Sequence, residues 1–490
     1  MNSSFLPWYR ELNRYQWFVL IVAALGWMLD CFDQQIFMMA RQPAMTELLV
    51  NDDGLTPFAR LGTLFGGEAS APEGPSAGQS MIPREDGRFD PSLSTVNEYA
   101  SYTVSVFMMG WGIGGLIFGV MGDRIGRAKT MMITILMYSV FTGLSAASTG
   151  FWDFAAYRFL TGMGVGGEFA VGVALVAEVM PDRARPYTLA VLQALSAVGN
   201  ISAALVSIGM GELVARGQVE NIWRPMFIIG AVPAFLAILV RWKLREPERW
   251  QQASHEDAVA KKLGSYRELF GHPTWRRHAF IGLALAFSGI VGLWGIGFFV
   301  FDLVADVFRQ RFADQGLEGE QLTGEIAKWR GYASMMMNVG AALGMYGFAM
   351  LAARVGRKPT FAVCFIAAML STAGVFYFLE EFHQVFWMIP IMGFCILSLF
   401  AGYAIYFPEL FPTHLRSTGT SFCYNVGRFV AASGSALTGL LIAFYADAAD
   451  TTGDAAAPMR YAGLTMCSIF LLGLLVLPFA PETKDQPLPE

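Results

Sequence analysis

Twelve runs of about 20 apolar residues recur along the chain, and a helix of that length crosses the hydrocarbon core of a bilayer. They lie at 16–40, 99–120, 129–149, 152–179, 186–209, 222–243, 278–303, 329–352, 359–379, 384–408, 415–445 and 460–480. No water reaches backbone N–H and C=O groups in that core, so each run must pair them internally, as a helix does. The expected fold class is an all-α membrane protein with twelve transmembrane helices. Only 15% of the 490 residues are charged and the mean hydropathy is +0.45, too apolar to coat several soluble domains. The net charge of −5 is mild and the basic residues are scattered, which gives no footing for nucleic acid. All five cysteines fall inside apolar runs, so the sequence shows neither a disulfide framework nor a metal-ligand spacing. The N-terminal residues lack the small-residue cleavage site of a signal peptide, so the first run is expected to be retained.

Lys and Arg favour the cytoplasmic side of a membrane. Of the 34 here, 21 fall on the side that an even number of spans gives to both termini. The termini and the central loop are therefore expected in the cytoplasm. The organisation read from this is an N-terminal segment at 1–15, a first six-helix bundle at 16–243, a connector at 244–277, a second bundle at 278–480 and a tail at 481–490. The connector carries an amphipathic stretch around Trp250–Leu263. Residues 41–98 form a long extracytoplasmic loop rich in Gly, Pro and acids. With neither a cysteine nor an Asn-x-Ser/Thr sequon there, a bacterial inner membrane is the expected location.

The chain also repeats itself at half length. Glu178-Val-Met-Pro181-Asp-Arg-Ala-Arg185 recurs as Glu409-Leu-Phe-Pro412-Thr-His-Leu-Arg416, 231 residues on. Arg124-Ile-Gly126-Arg127 recurs as Arg354-Val-Gly356-Arg357, 230 residues on. Arg-Glu-Pro247-Glu248 after the sixth run is echoed by Pro481-Glu482 after the twelfth. Two pseudo-symmetric six-helix bundles with repeated loops describe a duplicated transporter that binds its substrate between the halves.

These residues resemble the major facilitator superfamily over nearly the whole chain. Asp123-Arg124-Ile-Gly126-Arg127 matches its loop signature between spans two and three. The second copy keeps Arg354, Gly356 and Arg357 but has Ala353 in place of the acid. The resemblance implies a charge-based latch, made and broken during the cycle, with Glu178, Arg185, Glu409 and Arg416 in the repeated loops as further members. Positive-inside anchoring alone would explain the arginines but not the fixed spacing. Arg158-x-x-x-Gly162-x-Gly164-x-Gly166 and Pro408-Glu409-Leu-Phe-Pro412 are similar to the branch of sugar porters, organic-ion carriers and metabolite:proton symporters. Span seven departs from sugar porters, reading FSGIVGLWGIGFFVFDLV without their Gln-Gln pair. The long first loop and an arginine in span eleven resemble organic-anion carriers more.

A charge at the bilayer centre costs at least about 2.5–3.5 kcal/mol, so each asks for a partner or a task. Asp33 and Arg158 both lie roughly 10 Å from the outer ends of spans one and four, by the 1.5 Å rise per residue. In proton-coupled sugar porters the matching acid and arginine form the coupling pair, and Asp33 in Cys-Phe-Asp takes the acid's place. With Arg158 close, Asp33 stays ionised; with the arginine turned elsewhere, an isolated carboxylate in a low-dielectric site favours its protonated form. A static pair that fixes helix registry is the alternative. Asp30, three residues away, could share the proton. Glu168 is a second proton site or an interhelical hydrogen bond.

Arg428 falls roughly 18 Å into span eleven, near the midplane. With Tyr424 and Asn425 one turn below, it suits a carboxylate or phosphate, to which a guanidinium donates two parallel bonds. Pairing with a helix-borne acid is the alternative. Gln193 and Asn200, on one face of span five, are substrate ligands or interhelical glue. Trp294, Asn338 and Tyr403 are placed on the same cavity, with packing as the alternative for the aromatics.

The Gly162-Met-Gly-Val-Gly-Gly run lies inside an apolar helix with no strand before it, so it is a packing surface and not a dinucleotide loop. No zinc-binding His-Glu-x-x-His, nucleophile elbow or Walker sequence occurs. The sequence therefore predicts no enzyme, no cofactor and no metal. It predicts a gradient-driven, alternating-access carrier, most plainly a proton symporter of a small organic anion. A sugar or polyol carrier is the alternative; a transporter-fold sensor would carry a long cytoplasmic extension, and about ten residues follow the last span. The expected partners are a small-molecule substrate, protons and the lipid bilayer, with the chain acting as a monomer.

Overall fold

The computed structural model describes residues 7–49, 93–215, 223–232, 243–255, 262–445 and 456–489, with a few isolated residues between them. A helix, whole or in part, stands at each of the twelve apolar runs. Spans one to five are Arg14–Leu48, Leu93–Arg124, Arg127–Ser145, Phe151–Val179 and Arg185–Ala215. Span six is described as helix over Trp223–Gly230, and 233–242 lie outside the described residues. Span seven starts at Pro273–Val291, takes one π-helical turn at Gly292–Ile296 and continues as Val300–Asp314. Spans eight, nine and ten are Gly319–Val355, Arg357–Phe378 and Val385–Leu410. Span eleven also bends through a π-helical turn, Phe422–Val426, between Arg416–Ser421 and Gly427–Phe444. Span twelve is Ala457–Met466 followed by Ile469–Val476. Ten stretches among the described residues are long and apolar enough to cross a membrane.

Span one shows how local chemistry sets an end. Asn13 caps it: its side chain accepts from Gln16 N at 2.9 Å, and the Gln16 side chain accepts from Asn13 N at 3.0 Å. The other end corrects the sequence reading. The loop expected from residue 41 begins later, because the helix runs on to Leu48 with Ala44, Met45 and Leu48 fully buried on one continuing face. Span two likewise starts at Leu93, six residues earlier than its apolar run. Of the loop between them, 50–81 lie outside the described residues, while Ile82–Pro83 pairs with Phe89–Asp90 in a short antiparallel ladder.

Small residues bring the helix backbones into contact. A Cβ on Gly110 or Gly114 of span two would strike the Phe159 or Met163 carbonyl of span four, and one on Gly162 or Gly166 the Phe107 or Trp111 carbonyl of span two. The second half repeats the device: Gly340 and Gly344 of span eight lie on the Pro390 and Phe394 carbonyls of span ten, and Gly393 on Met337. Gly110 and Gly340 are separated by the same interval as the loop repeat, so the duplication extends into the helix interfaces. Between the halves, span five packs on span eight, and span two on span eleven.

Candidate transport pathway

The end of the bundle that carries both termini is closed by side chains crossing between the halves. Asp123, at the end of span two, faces the start of span eleven and accepts from Ser417 N at 3.1 Å, Thr418 N at 2.8 Å and Thr418 Oγ1 at 2.6 Å. A carboxylate here satisfies donors that the first helical turn leaves unpaired. Arg127 pairs with Asp123 at 3.0 Å and Glu178 at 2.9 Å, and donates to the Thr413 carbonyl of the second half at 2.7 Å. Arg416 reaches the same Glu178 oxygen at 2.7 Å. In the second half Arg357 holds Glu409 at 2.7 Å, while Arg185 turns to Asp182 and to the Ala177 carbonyl at 3.0 Å.

Gly126 and Gly356 precede spans three and nine with φ of 111° and 105°, which side chains rarely adopt. The space a Cβ would need is filled by the carboxylates of Glu246 and Glu482. Glu246 accepts from Ala128 N and Lys129 N, both at 3.1 Å; Glu482 accepts from Arg357 N at 2.8 Å and Lys358 N at 3.0 Å. The partner of Glu482 in the repeat is therefore Glu246 and not Glu248, since what aligns the two acids is the helix start each caps. Arg124 donates to the Leu263 carbonyl at 3.2 Å, and Arg354 offers its carbonyl to Lys484. The connector closes the same face. Its described helices are Glu248–His255 and Tyr266–Gly271, with Trp250 donating to the Asp123 carbonyl and Tyr266 to the Leu116 carbonyl.

Toward the opposite end the halves part around a cavity of about 520 Å³. Its wall includes Met38 and Arg41 of span one, Met108 of span two, Ile290, Trp294 and Phe299 of span seven, and Arg428 of span eleven. The Arg428 guanidinium lies 3.9 Å from the Trp111 ring centre and 4.2 Å from that of Tyr424. Its Nε and Nη1 are shielded from solvent and donate to nothing among the described residues. Tyr424 stacks in turn on Phe169 at 4.2 Å. The pairing that holds Arg428 is thus with aromatic faces, a cation–π arrangement that leaves its N–H edge free for an anion.

Asp33 and Arg158 are both fully buried and act on each other electrostatically, but they do not close into an ion pair within 4.0 Å. Arg158 donates to Ser145 Oγ at 2.7 and 3.0 Å, to Thr142 Oγ1 at 3.2 Å and to the Phe141 carbonyl at 3.3 Å, with its guanidinium 4.7 Å from the Phe227 ring centre. Neither Asp33 oxygen has a hydrogen-bond partner among the described residues, and Oδ1 is 3.0 Å from where a Cβ on Gly230 would stand. Asp30, also fully buried with neither oxygen in a hydrogen bond among the described residues, has Glu168, Asp33 and Arg428 as its charged neighbours. Glu168 leans on Gly26, one turn from Asp30, and its Oε2 has no hydrogen-bond partner among the described residues.

The remaining candidates divide. Trp294 lines the cavity. Asn200 and Asn338 bond each other across the halves at 3.1 Å, and Gln193 is buried beside Tyr424. The Asn425 amide is taken up by the Gly166 carbonyl and by Ser421. Tyr403 packs inside the second half, donating to the Leu285 carbonyl at 2.7 Å, and is not on the cavity wall. Sequence reading missed Ser145 and Thr142, which carry no charge to mark them, and Arg41, which it placed in the loop. It also missed Trp111 as the second face of the Arg428 clamp.

A duplicated helical bundle, sealed at one end and holding a charged cavity between its halves, defines the class of secondary carriers. The chain belongs to the Major Facilitator Superfamily, whose family model matches residues 23–432. It is 29% identical over 342 residues to a putative metabolite transport protein of Haemophilus influenzae, covering 69% of this chain and 78% of that one. It is 28% identical over 354 residues to the cis,cis-muconate transport protein of Acinetobacter baylyi, covering 71% and 79%. The fold is similar to that of the proton:xylose symporter XylE, with a TM-score of 0.67 at 17% identity over 97% of this chain and 98% of that one. The protein is therefore a multi-pass membrane transporter and not an enzyme.

Proposed function

We propose that the chain is a proton-coupled symporter of small organic anions, with both termini in the cytoplasm of a bacterial cell. The observation that carries this reading is Arg428: a guanidinium held between two aromatic faces on a cavity wall, whose buried Nε and Nη1 find no acceptor among the described residues. Leaving such donors empty is costly, and a carboxylate satisfies two at once. Similarity to a muconate carrier supports the same substrate class. Asp33 is the proton carrier and Arg158 its switch partner. In this conformation the arginine donates to Ser145 and Thr142 and makes no ion pair with Asp33 within 4.0 Å, which leaves the carboxyl open to exchange its partner for a proton. The closed latch at the termini and the cavity toward the other end make this the conformation that loads from outside.

The test is uptake into proteoliposomes of organic acids and sugars, with and without an inward proton gradient, for wild type and Asp33→Asn. The expected result is gradient-driven accumulation of an acid by wild type, lost in the variant while counterflow exchange persists. Uptake of a neutral sugar, indifferent to gradient and substitution, overturns both the coupling and the anion assignment.

A further inference from the structure

Two guanidiniums line the cavity from opposite halves, Arg428 from span eleven and Arg41 from span one. Arg41 has a buried Nε with no partner among the described residues. The acid on the same wall, Asp302, pairs with Arg330 at 2.7 Å. Along span one, Arg41 stands eleven residues, a rise of about 16 Å, beyond the Asp30 whose charge acts on Arg428. The rest of the wall is mostly apolar and aromatic, with Met38, Met108, Ile290 and Trp294, and Ser101 and Ser105 as its uncharged polar members.

We propose that the substrate is a small dicarboxylate, with one carboxylate on Arg428, the other on Arg41, and its carbon skeleton against the apolar wall between. This rests on the organic-anion reading above and sharpens it. The cavity's volume falls within the range of sites for small metabolites. The pairing also gives the ligand a role in the cycle. A molecule bonded to one arginine from each half draws the halves together at the open end, whereas a monocarboxylate engages one half only. A ligand shifts a conformational equilibrium by its difference in affinity for the two states, and bridging supplies that difference.

The experiment compares matched pairs in proteoliposomes: trans,trans-muconate against sorbate, which has a methyl in place of one carboxylate, and adipate against hexanoate. Wild type is expected to show kcat/KM at least tenfold higher for each diacid than for its monoacid. In Arg41→Gln that ratio falls at least tenfold, and in Arg41→Lys it is partly kept. A wild-type ratio near one, or a ratio that Arg41→Gln leaves as it was, overturns the dicarboxylate assignment while monoacid uptake keeps the organic-anion reading intact. Transport of neutral sugars and of none of the four acids refutes the organic-anion reading, and this inference with it. Because the wild-type ratio is read without any substitution, an Arg41→Gln protein that fails to fold does not remove the test.

Discussion

Arg416 of the second half donates to Glu178 of the first at 2.7 Å, with both side chains shut off from solvent. The same carboxylate oxygen receives Arg127 of its own half at 2.9 Å. The sequence repeat supplies the components of a mirror pair, Arg185 and Glu409, but no such bridge forms. Arg185 is turned to Asp182, while Glu409 holds Arg357 and accepts from Thr483 Oγ1 at 2.5 Å. The latch is asymmetric: the bridge of charge between the halves runs from Arg416 to Glu178.

Glu178→Gln is therefore expected to open the termini end. Removing one partner from a buried ion pair costs about 3–5 kcal/mol by leaving the other charge uncompensated. The two states of a carrier differ by only a few kcal/mol, so the population should shift. Electron–electron distance measurements between spin labels on the exposed, repeat-related Ile125 and Val355 read this out. The expected result is a longer main distance in Glu178→Gln and a smaller change in Glu409→Gln. Equal distances in wild type and Glu178→Gln would remove Glu178 from the latch.

Asp123 leads to a second asymmetry. It accepts from two backbone N–H groups at the start of span eleven, and the repeat has Ala353 in its place. The repeat also sets Pro186 where Ser417 stands, and proline has no N–H to offer. The acid and one of its two backbone donors are thus missing from the second copy. Asp123→Ala should lose a cap of about 0.5–2 kcal/mol together with a buried charge, and lower transport at least tenfold. Ala353→Asp should restore little in that background, because Pro186 offers no donor where Ser417 N–H stands. Recovery of uptake in the double variant would show that the charge matters and the cap does not.

The extent of what was legible in the sequence follows from the physics of each feature. Twelve spans were readable because the bilayer demands long apolar runs, and Asp33, Arg158 and Arg428 because a charge in such a run is conspicuous. The latch residues were marked by their spacing in two copies. Span ends were less visible: Arg41 looked like the first loop residue, although Ala44, Met45 and Leu48 carry the same buried face one turn further. Ser145 and Thr142 were silent, since hydroxyls are common in membrane helices for many reasons. The π-helical turns of spans seven and eleven left no signal, being set by packing between distant segments.

Ser145→Ala tests the resting place of Arg158. Ser145 accepts from both Nε and Nη2, and a hydrogen bond to a charged group contributes about 1.5–3 kcal/mol. Without it the guanidinium is freer to meet Asp33, which then keeps its charge. Proton-driven accumulation is expected to fall about tenfold, on the lower end of that range. Counterflow, which needs no net proton step, should fall less. If both fall together, Ser145 serves packing and not coupling.

Glu482 gives a prediction in pH. It lies beyond span twelve, where partial burial opposes its charge but is outweighed by N–H donors from Arg357, Lys358, Lys484 and Thr483. Its carboxyl is therefore held below the usual glutamate value of 4.5. A folded-state pKa below the unfolded one means that stability is full above the unfolded value and is lost as pH falls through the folded one. The contact between the tail and the start of span nine should hold at neutral pH and loosen below pH 4.5. Hydrogen exchange at the Lys358 and Thr483 amides is the readout. Protection should fall with acid in wild type, whereas Glu482→Gln should show reduced protection at neutral pH and little further change on acidification. An acid response that survives in Glu482→Gln would assign the titration to another group.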